Sequence, residues 1–486
     1  MEYDLIVIGG GINGCGICAD AAGRGLKTLL IEQSDLGFGT SSASSRLIHG
    51  GIRYLENFEF SMVRDALIEQ DALQHNASHL IHEQQFIMPL NTSIRPNWLI
   101  KIGLFLYDYL FWQRKLQRSR ILYDTQSLGL KHEYTRAVTY ADCTVDDARL
   151  VIKVALLAQQ KGAKILTKTP IASTIRHPNH WEVFLDSGLK LTAKAIVNAT
   201  GSWVNQVNYE VLKVNPALEL ALVRGTHIVV PKLTNTTNAY ILQNPDNRVV
   251  FVIPFLNKYH LIGTTEVTVN SSWDNKASSA EITYLCESIN AYFKTNIQSH
   301  DLINVYAGIR PLIQQSKNIR STSRDYQLIL NQEKAPLLSV YGGKLTTYRK
   351  LSEQALNKLK IIFPQMSKAW TKHALLPGSF KERVAHYQQY LKQKYSFLSE
   401  DLLTYYIYYY GNCCELFLKN STCIKDLGIY FGGNLYALEV IYLLKHEWAT
   451  CAEDILWRRT KQGFALNTNQ QAQLQTYIEQ SLPGLI

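Results

Sequence analysis

Leu5-Ile6-Val7-Ile8-Gly9-Gly10-Gly11-Ile12-Asn13-Gly14 is the stretch that decides the fold. Its four consecutive apolar residues read as a strand buried on both faces, the habit of a parallel sheet. The strand runs straight into Gly9, Gly11 and Gly14 at G-x-G-x-x-G spacing. Cys15 to Gly25 is rich in small residues and suits a crossover helix. Lys27 to Ile31 is a second apolar strand, closed by Glu32, 18 residues after Gly14. Gly9 allows the tight turn, Gly11 lets the backbone approach a pyrophosphate, and Gly14 lets the helix lie close to the strand. The helix N-terminus offers unpaired N–H groups and a partial positive charge to phosphate. A carboxylate at Glu32 can accept hydrogen bonds from an adenosine ribose and repels a 2′-phosphate, so NADP is disfavoured. A Gly-rich turn arises by chance, but strand, motif, helix, strand and acid in this order point to dinucleotide binding. Cys15 and Cys18 form C-x-x-C inside the helix. Small residues are wanted there for packing on the sheet, which outweighs a redox dithiol.

Beyond this unit, 486 residues leave room for two to four domains, and 46% apolar with 19% charged residues describes a globular chain with a sizeable core. A mainly disordered chain is excluded by the same figures. The longest apolar stretch, Trp98 to Trp112, contains Lys101 and Asp108 and falls short of the roughly 20 apolar residues of a bilayer span. The formal charge of +10 suits an anionic partner, or solubility alone. Eight cysteines give no dense disulfide framework, and the acidic start Met1-Glu2-Tyr3-Asp4 does not read as a signal peptide, so a reducing cytoplasmic compartment is expected.

Three further junctions pair an apolar strand with small residues. Gly39-Thr40-Ser41-Ser42-Ala43-Ser44-Ser45 leads to His49-Gly50-Gly51; Ala195-Ile196-Val197-Asn198 ends in Ala199-Thr200-Gly201; and Leu337 to Tyr341 ends in Gly342-Gly343-Lys344-Leu345-Thr346-Thr347. Each can be a plain surface turn. Together they suggest one nucleotide domain assembled from separated pieces, with backbone passing close to a flat ring system.

At these residues the chain resembles the FAD-dependent (respiratory) glycerol-3-phosphate dehydrogenases of bacteria, almost end to end. The marks are His49-Gly50-Gly51-Ile52-Arg53-Tyr54-Leu55-Glu56, Gly225-Thr226-His227-Ile228-Val229-Val230-Pro231, Gly263-Thr264-Thr265-Glu266, Gly308-Ile309-Arg310-Pro311-Leu312, Gly342 to Arg349, His446-Glu447-Trp448 and Asp454 to Thr460. Glu266 departs from the Asp usual in the family and keeps the charge. The resemblance implies an α/β and α+β chain. A glutathione-reductase-like FAD-binding Rossmann domain is expected over 1–75, 145–205 and 330–360. An antiparallel-sheet substrate domain is expected over 76–144 and 206–329, and a helical C-terminal cap over 361–486. The residues agree: Gly225 to Pro231, Ala239 to Asn244, Val249 to Pro254 and Tyr259 to Thr264 are short β-branched runs split by turn residues. Beyond Pro377 the pattern is mostly helical.

The implied reaction oxidises sn-glycerol 3-phosphate to dihydroxyacetone phosphate, with hydride passing to FAD and electrons to membrane quinone. FAD would be held by Gly9, Gly11, Gly14, Glu32, Thr40, Ser41, Ser42, His49, Gly50, Ala199, Thr200, Gly201, Gly343, Leu345 and Thr346. A phosphate dianion wants guanidinium forks and hydroxyl donors. The resemblance puts Arg310, Lys344, Arg53, Tyr54, Arg324 and Thr264 at the substrate. Any one Arg can instead be a surface ion pair, and Arg324 has Asp325 beside it. His227 is favoured as the base that takes the C2 hydroxyl proton, with His49 as runner-up. A lone His before an apolar strand is otherwise a structural hydrogen bonder. No metal site is expected, since His and Cys are read as scattered without paired ligand spacing.

Arg95 to Arg120 holds six basic residues and one acidic, with Trp98, Phe105, Phe111 and Trp112 among them. That mixture suits an anionic membrane surface, or a buried helix with a basic exit. The resemblance favours a cytoplasmic protein peripherally attached to the cytoplasmic face of the inner membrane, and leaves a homodimer open. An oxidase passing electrons to oxygen is the alternative within the same architecture. An RNA-binding flavoprotein would need a continuous basic stripe with stacking aromatics. One local cluster is present instead, so no nucleic acid partner is expected.

Overall fold

Two sheets and a helical end divide the chain. The computed structural model describes residues 2–52, 59–90, 97–109, 116–314, 325–380 and 384–484. Arg53, Tyr54 and Arg324, assigned above to the substrate, lie outside the described residues, as do Arg114 and Lys115.

The first sheet is built around Glu2–Ile8, whose Leu5, Ile6 and Val7 are fully buried. Lys190–Asn198 pairs with it in parallel on one side, Leu5 opposite Ala195, and Thr28–Ile31 on the other. Lys164–Leu166 and Leu337–Tyr341 extend the parallel sheet outward, and Gln327–Asn331 closes one edge in antiparallel. A hairpin of Ile171–Arg176 and Trp181–Leu185 joins the early half of Lys190–Asn198. The crossover helix Ile12–Gly23 packs between Asp147–Gln160 and Tyr348–Leu359. Asp146 caps Asp147–Gln160 by accepting from the Arg149 N–H. Cys15 and Cys18 are fully buried in this layer, and burial pushes both thiols far up, so they are packing residues.

The second sheet runs in the order Val267–Val269, Leu220–Pro231, Tyr259–Gly263, Val249–Phe255, Ala239–Gln243, His82–Pro89, Ala137–Thr144 and Leu47–Ile48, with Asn304–Ile313 also paired to Leu220–Pro231. It is antiparallel except at one seam, where Ala239 and Tyr240 run parallel to Phe86 and Ile87. The expected antiparallel sheet is thus made of two antiparallel groups from distant segments, joined side by side at that seam. Two short strands cross the expected boundaries for the same reason. Leu47–Ile48 pairs with Thr144 and Cys143 in the second sheet, and Gln327–Asn331 belongs to the first.

Beyond residue 380 the helices Val384–Lys394, Glu400–Tyr410, Ala437–His446 and Thr468–Ser481 enclose a separate core that includes Leu403, Tyr406, Tyr410, Phe417 and Leu443. Two short strands, Tyr430–Gly432 and Leu435–Tyr436, interrupt the helices. Buried ion pairs dock this unit on the first sheet's layer. Arg149 pairs with Glu447, and Arg459 grips Asp35 with two bonds of 2.7 Å. Among the described residues no helix is long and apolar enough to cross a membrane.

Candidate active site

The C-terminal ends of the first sheet's parallel strands open into a cavity of about 540 Å³ whose far wall is the second sheet. Gly9, Gly11, Ala199, Thr200, Gly201, Gly343, Leu345 and Thr346 line it. Gly9 stands at φ +107°, which a side chain rarely adopts, and a Cβ there would press to 2.7 Å on the Ala199 carbonyl oxygen. A Cβ on Gly14 would run into the Gly9 carbonyl, so this glycine sets the close approach of helix to strand without itself reaching the cavity. Gly11, the N-cap, brings no side chain; the Ile12 N–H donates instead to Ser41 Oγ at 3.1 Å. Asn13 lines the same wall with a buried Oδ1 that no hydrogen-bond donor meets.

Glu32 also lines the cavity, and two of its acceptor positions are already used. It takes the Gly10 N–H at 2.6 Å and the Ser34 N–H at 2.8 Å. Burial raises its pKa, against the pull of those two bonds. An ionised carboxylate has about four lone-pair sites, so room for a ribose remains. The loop that follows is clamped from the C-terminal helical unit. Asp35 is fully buried between Arg459 and Arg458, and Arg458 also lies over the Phe38 ring at 5.9 Å. The Gly-rich turn, the acid after the second strand and the small-residue walls together fit an adenine dinucleotide.

At the other end, Arg310 comes from Asn304–Ile313 and faces the cavity. Its guanidinium donates to Thr264 Oγ1 at 3.0 Å and to the Thr265 carbonyl at 3.4 Å. Gly225 leaves the space, since a Cβ there would stand 2.6 Å from an Arg310 nitrogen. Thr264, Glu266, His49 and Lys344 line the same cavity, and Lys344 Nζ lies 3.2 Å from Met62 Sδ. The His49 N–H donates to Thr346 Oγ1 at 3.3 Å, which ties the two motifs together. Thr40 donates to the Ile309 carbonyl at 2.6 Å, so the Ser/Thr segment bridges the two sheets.

Three expected residues stand one layer back. Ser42 is off the wall, with its hydroxyl turned to the Gly39 carbonyl. Gly50 is off it too, its N–H donating to Tyr107 Oη at 2.9 Å. His227 is buried, stacked on Tyr306 at 5.1 Å, and touches the cavity wall at Ser45, whose Oγ lies 2.8 Å from Nε2. Burial first, then the charges of Arg310 and Arg46, push its pKa down to about 3. The expectation of a base that charges near neutral pH does not suit this environment, because a cation there would be dry and beside two guanidinium groups.

Ser45 and Asp142 are among the wall residues missed in the sequence. Ser45 sat in the hydroxyl-rich run without a feature to separate it from its neighbours. Asp142 accepts from Tyr107 Oη at 2.6 Å and Gln70 Nε2 at 2.8 Å beneath the His49 loop. It interrupts an apolar strand, Ala137–Thr144, and that interruption was the one available signal.

Residues 4–349 match the model of the FAD-dependent oxidoreductase family. The aerobic glycerol-3-phosphate dehydrogenase of Escherichia coli K12 is 45% identical over 98% of this chain and 97% of its own length. The D-erythritol 1-phosphate dehydrogenase of Brucella abortus is 42% identical over 96% of each. Among solved structures, the FAD complex of a glycerol-3-phosphate dehydrogenase from Bacillus halodurans has the same fold, with a TM-score of 0.77 at 23% identity over 99% of this chain and 90% of that one. The chain belongs to the FAD-dependent oxidoreductase family and, along nearly its whole length, to the bacterial FAD-dependent glycerol-3-phosphate dehydrogenases within it.

Proposed function

We propose that the chain oxidises sn-glycerol 3-phosphate to dihydroxyacetone phosphate and delivers the electrons to a membrane quinone. The observation that carries the reading is the Arg310–Thr264 pair on the cavity wall, a guanidinium and a hydroxyl held together where Gly225 makes space. Bound FAD supplies the two-electron acceptor for the C2 hydrogen. Arg310, Thr264 and Lys344 hold the phosphate, and its binding energy fixes C2 for transfer. His49, whose residue lines the cavity, takes the C2 hydroxyl proton. His227 stays neutral and acts through Ser45, whose hydroxyl it orients toward the cavity.

The membrane side rests on the helix Asn97–Tyr109. Ile100, Leu104 and Tyr107 face inward, while Trp98 is 63% and Phe105 60% exposed, with Ile102 and Tyr109 on the same outward stripe. Lys101 is exposed, and Arg118 stacks on Tyr109 at 4.7 Å. Aromatic rings flanked by cations suit an anionic lipid surface. The buried-helix reading and the membrane-face reading are therefore compatible, on opposite sides of one helix. Tyr107 on its inner side reaches Gly50 and Asp142 under the His49 loop.

The test is steady-state oxidation with a short-chain quinone analogue against air. One dihydroxyacetone phosphate per quinone reduced is expected, with little peroxide. Stoichiometric peroxide and an idle quinone would replace the quinone with oxygen. A preference for D-erythritol 1-phosphate over glycerol 3-phosphate would move the substrate to the longer polyol phosphate.

A further inference from the structure

The hairpin that joins Ile171–Arg176 to Trp181–Leu185 carries His177-Pro178-Asn179-His180-Trp181-Glu182 on the outer edge of the first sheet. Paired ligand spacing therefore does occur in this chain, as H-x-x-H-x-E. We propose that His177, His180 and Glu182 form a binding site for one divalent transition cation of the zinc class.

The backbone holds the three residues in place. The His177 N–H donates to the His180 carbonyl at 2.9 Å, closing the turn, and the Ala335 N–H donates to the His177 carbonyl at 3.0 Å, pinning it to the turn between Gln327–Asn331 and Leu337–Tyr341. His180 and Glu182 are two apart at the start of a strand, so they share a face. Trp181 between them is fully buried and donates to the Pro336 carbonyl, which fixes that face outward. The two imidazoles stack at 4.3 Å and 11°. One ligand atom from each residue falls within 4.8 Å of the others. Ligand atoms on one tetrahedral zinc stand roughly 3.3 Å apart, from bonds of about 2.0–2.1 Å, a gap that small side-chain rotations close.

One buried polar atom of the cluster lacks a hydrogen bond in a way that an ion would relieve. His177 Nε2 is sealed from solvent without a hydrogen bond, 3.6 Å from Glu182 Oε2. Lys190 takes Glu182 Oε1 at 2.6 Å and leaves Oε2 to the cluster. The ammonium of Lys190 opposes a cation, and its half-exposed side chain would have to give up Glu182 Oε1 to admit one. His180 is exposed, so an entry path and a fourth, water-filled position are available. Two imidazoles and one carboxylate suit zinc, nickel or copper(II); they do not suit magnesium, which wants an all-oxygen octahedron.

The experiment is calorimetric titration of ZnCl2 into the untagged, FAD-loaded protein, with the H177A/H180A double variant as baseline and FAD content as the check on folding. The parent is expected to bind one Zn2+ per chain more than the double variant. H180A alone should weaken that site at least about tenfold, K190Q should tighten it several-fold, and millimolar MgCl2 should leave it unchanged. Equal Zn2+ uptake by the parent and a folded double variant would overturn the proposal, and so would K190Q binding no more tightly than the parent.

Discussion

The two ends of the cavity are built by different means. At the dinucleotide end the determinants are backbone and absence: Gly9, Gly11 and Gly14 lie within six residues of each other, and what matters is that nothing projects from them. At the substrate end the determinants are side chains delivered from far apart in the chain. His49 comes from the loop after Leu47–Ile48, Thr264 from the turn after Tyr259–Gly263, Arg310 from Asn304–Ile313, and Lys344 from a turn after the last parallel strand. Damage at the first end should therefore be read in cofactor content, and damage at the second in turnover with the cofactor in place.

The largest effect is expected from Gly14→Val. The added side chain collides with the Gly9 carbonyl, which it cannot displace without moving the strand, so the variant should purify colourless or fail to fold. A yellow, FAD-replete Gly14→Val protein would break the steric half of the comparison. Next, Arg310→Ala should keep its FAD and lose about 10²–10⁴ in kcat/KM for glycerol 3-phosphate, the scale of ~3–5 kcal/mol in charge-assisted bonds. Arg310→Lys should recover part of it, since an ammonium restores charge without the planar fork. Near-parental kcat/KM in Arg310→Ala would leave Lys344 as the phosphate ligand.

Glu32→Ala tests where the two ends differ least, because Glu32 is a side chain at the backbone end. It should weaken FAD by about 1.5–3 kcal/mol. The cause is double, loss of a ribose acceptor and of the bonds that hold Gly10 and Ser34. Unchanged FAD affinity would remove it from the cofactor site.

His227 gives a pH signature. Its pKa falls from an ordinary value near 6.5 to about 3 in the fold, so between those values the unfolded chain takes up a proton that the native chain refuses. Stability should fall on acidification through that window by about 1.4 kcal/mol per pH unit from this group, and the contribution vanishes above about pH 7. Urea midpoints against pH in the parent and His227→Gln should differ in slope there. Parallel curves would show that His227 charges in the native state and return it as a candidate base.

The smallest effects belong to the outer helix. Neutralising Arg118 and Arg120 together with Arg114 and Lys115 should raise the soluble fraction after fractionation, at roughly 1 kcal/mol per charge near an anionic surface. Trp98→Ser should add to it. Unaltered partition would move the membrane contact elsewhere.

The dinucleotide end was legible because its signal is local: a buried strand, three spaced glycines, small residues and an acid lie within 32 residues. The strands Ala239–Gln243, Val249–Phe255 and Tyr259–Gly263 were legible for the same reason, each bounded by turn residues. The parallel seam between Ala239–Tyr240 and Phe86–Ile87 was not, since it joins segments about 150 residues apart and no periodicity marks a partner. His227 shows the limit of motif reading. Its type and block identity suggested a base, but depth decides its charge, and depth comes from Tyr306, Ser45 and Arg310 arriving from elsewhere.

The division of labour between the two ends is tested most directly by anaerobic stopped-flow reduction of the bound flavin, followed at its long-wavelength absorbance. Glycerol 3-phosphate should bleach the parent rapidly while unphosphorylated glycerol bleaches it orders of magnitude more slowly. In FAD-replete Arg310→Ala the gap between the two should shrink, because glycerol never used the phosphate site. Equal bleaching of the parent by both substrates, or an undiminished gap in Arg310→Ala, would contradict the account.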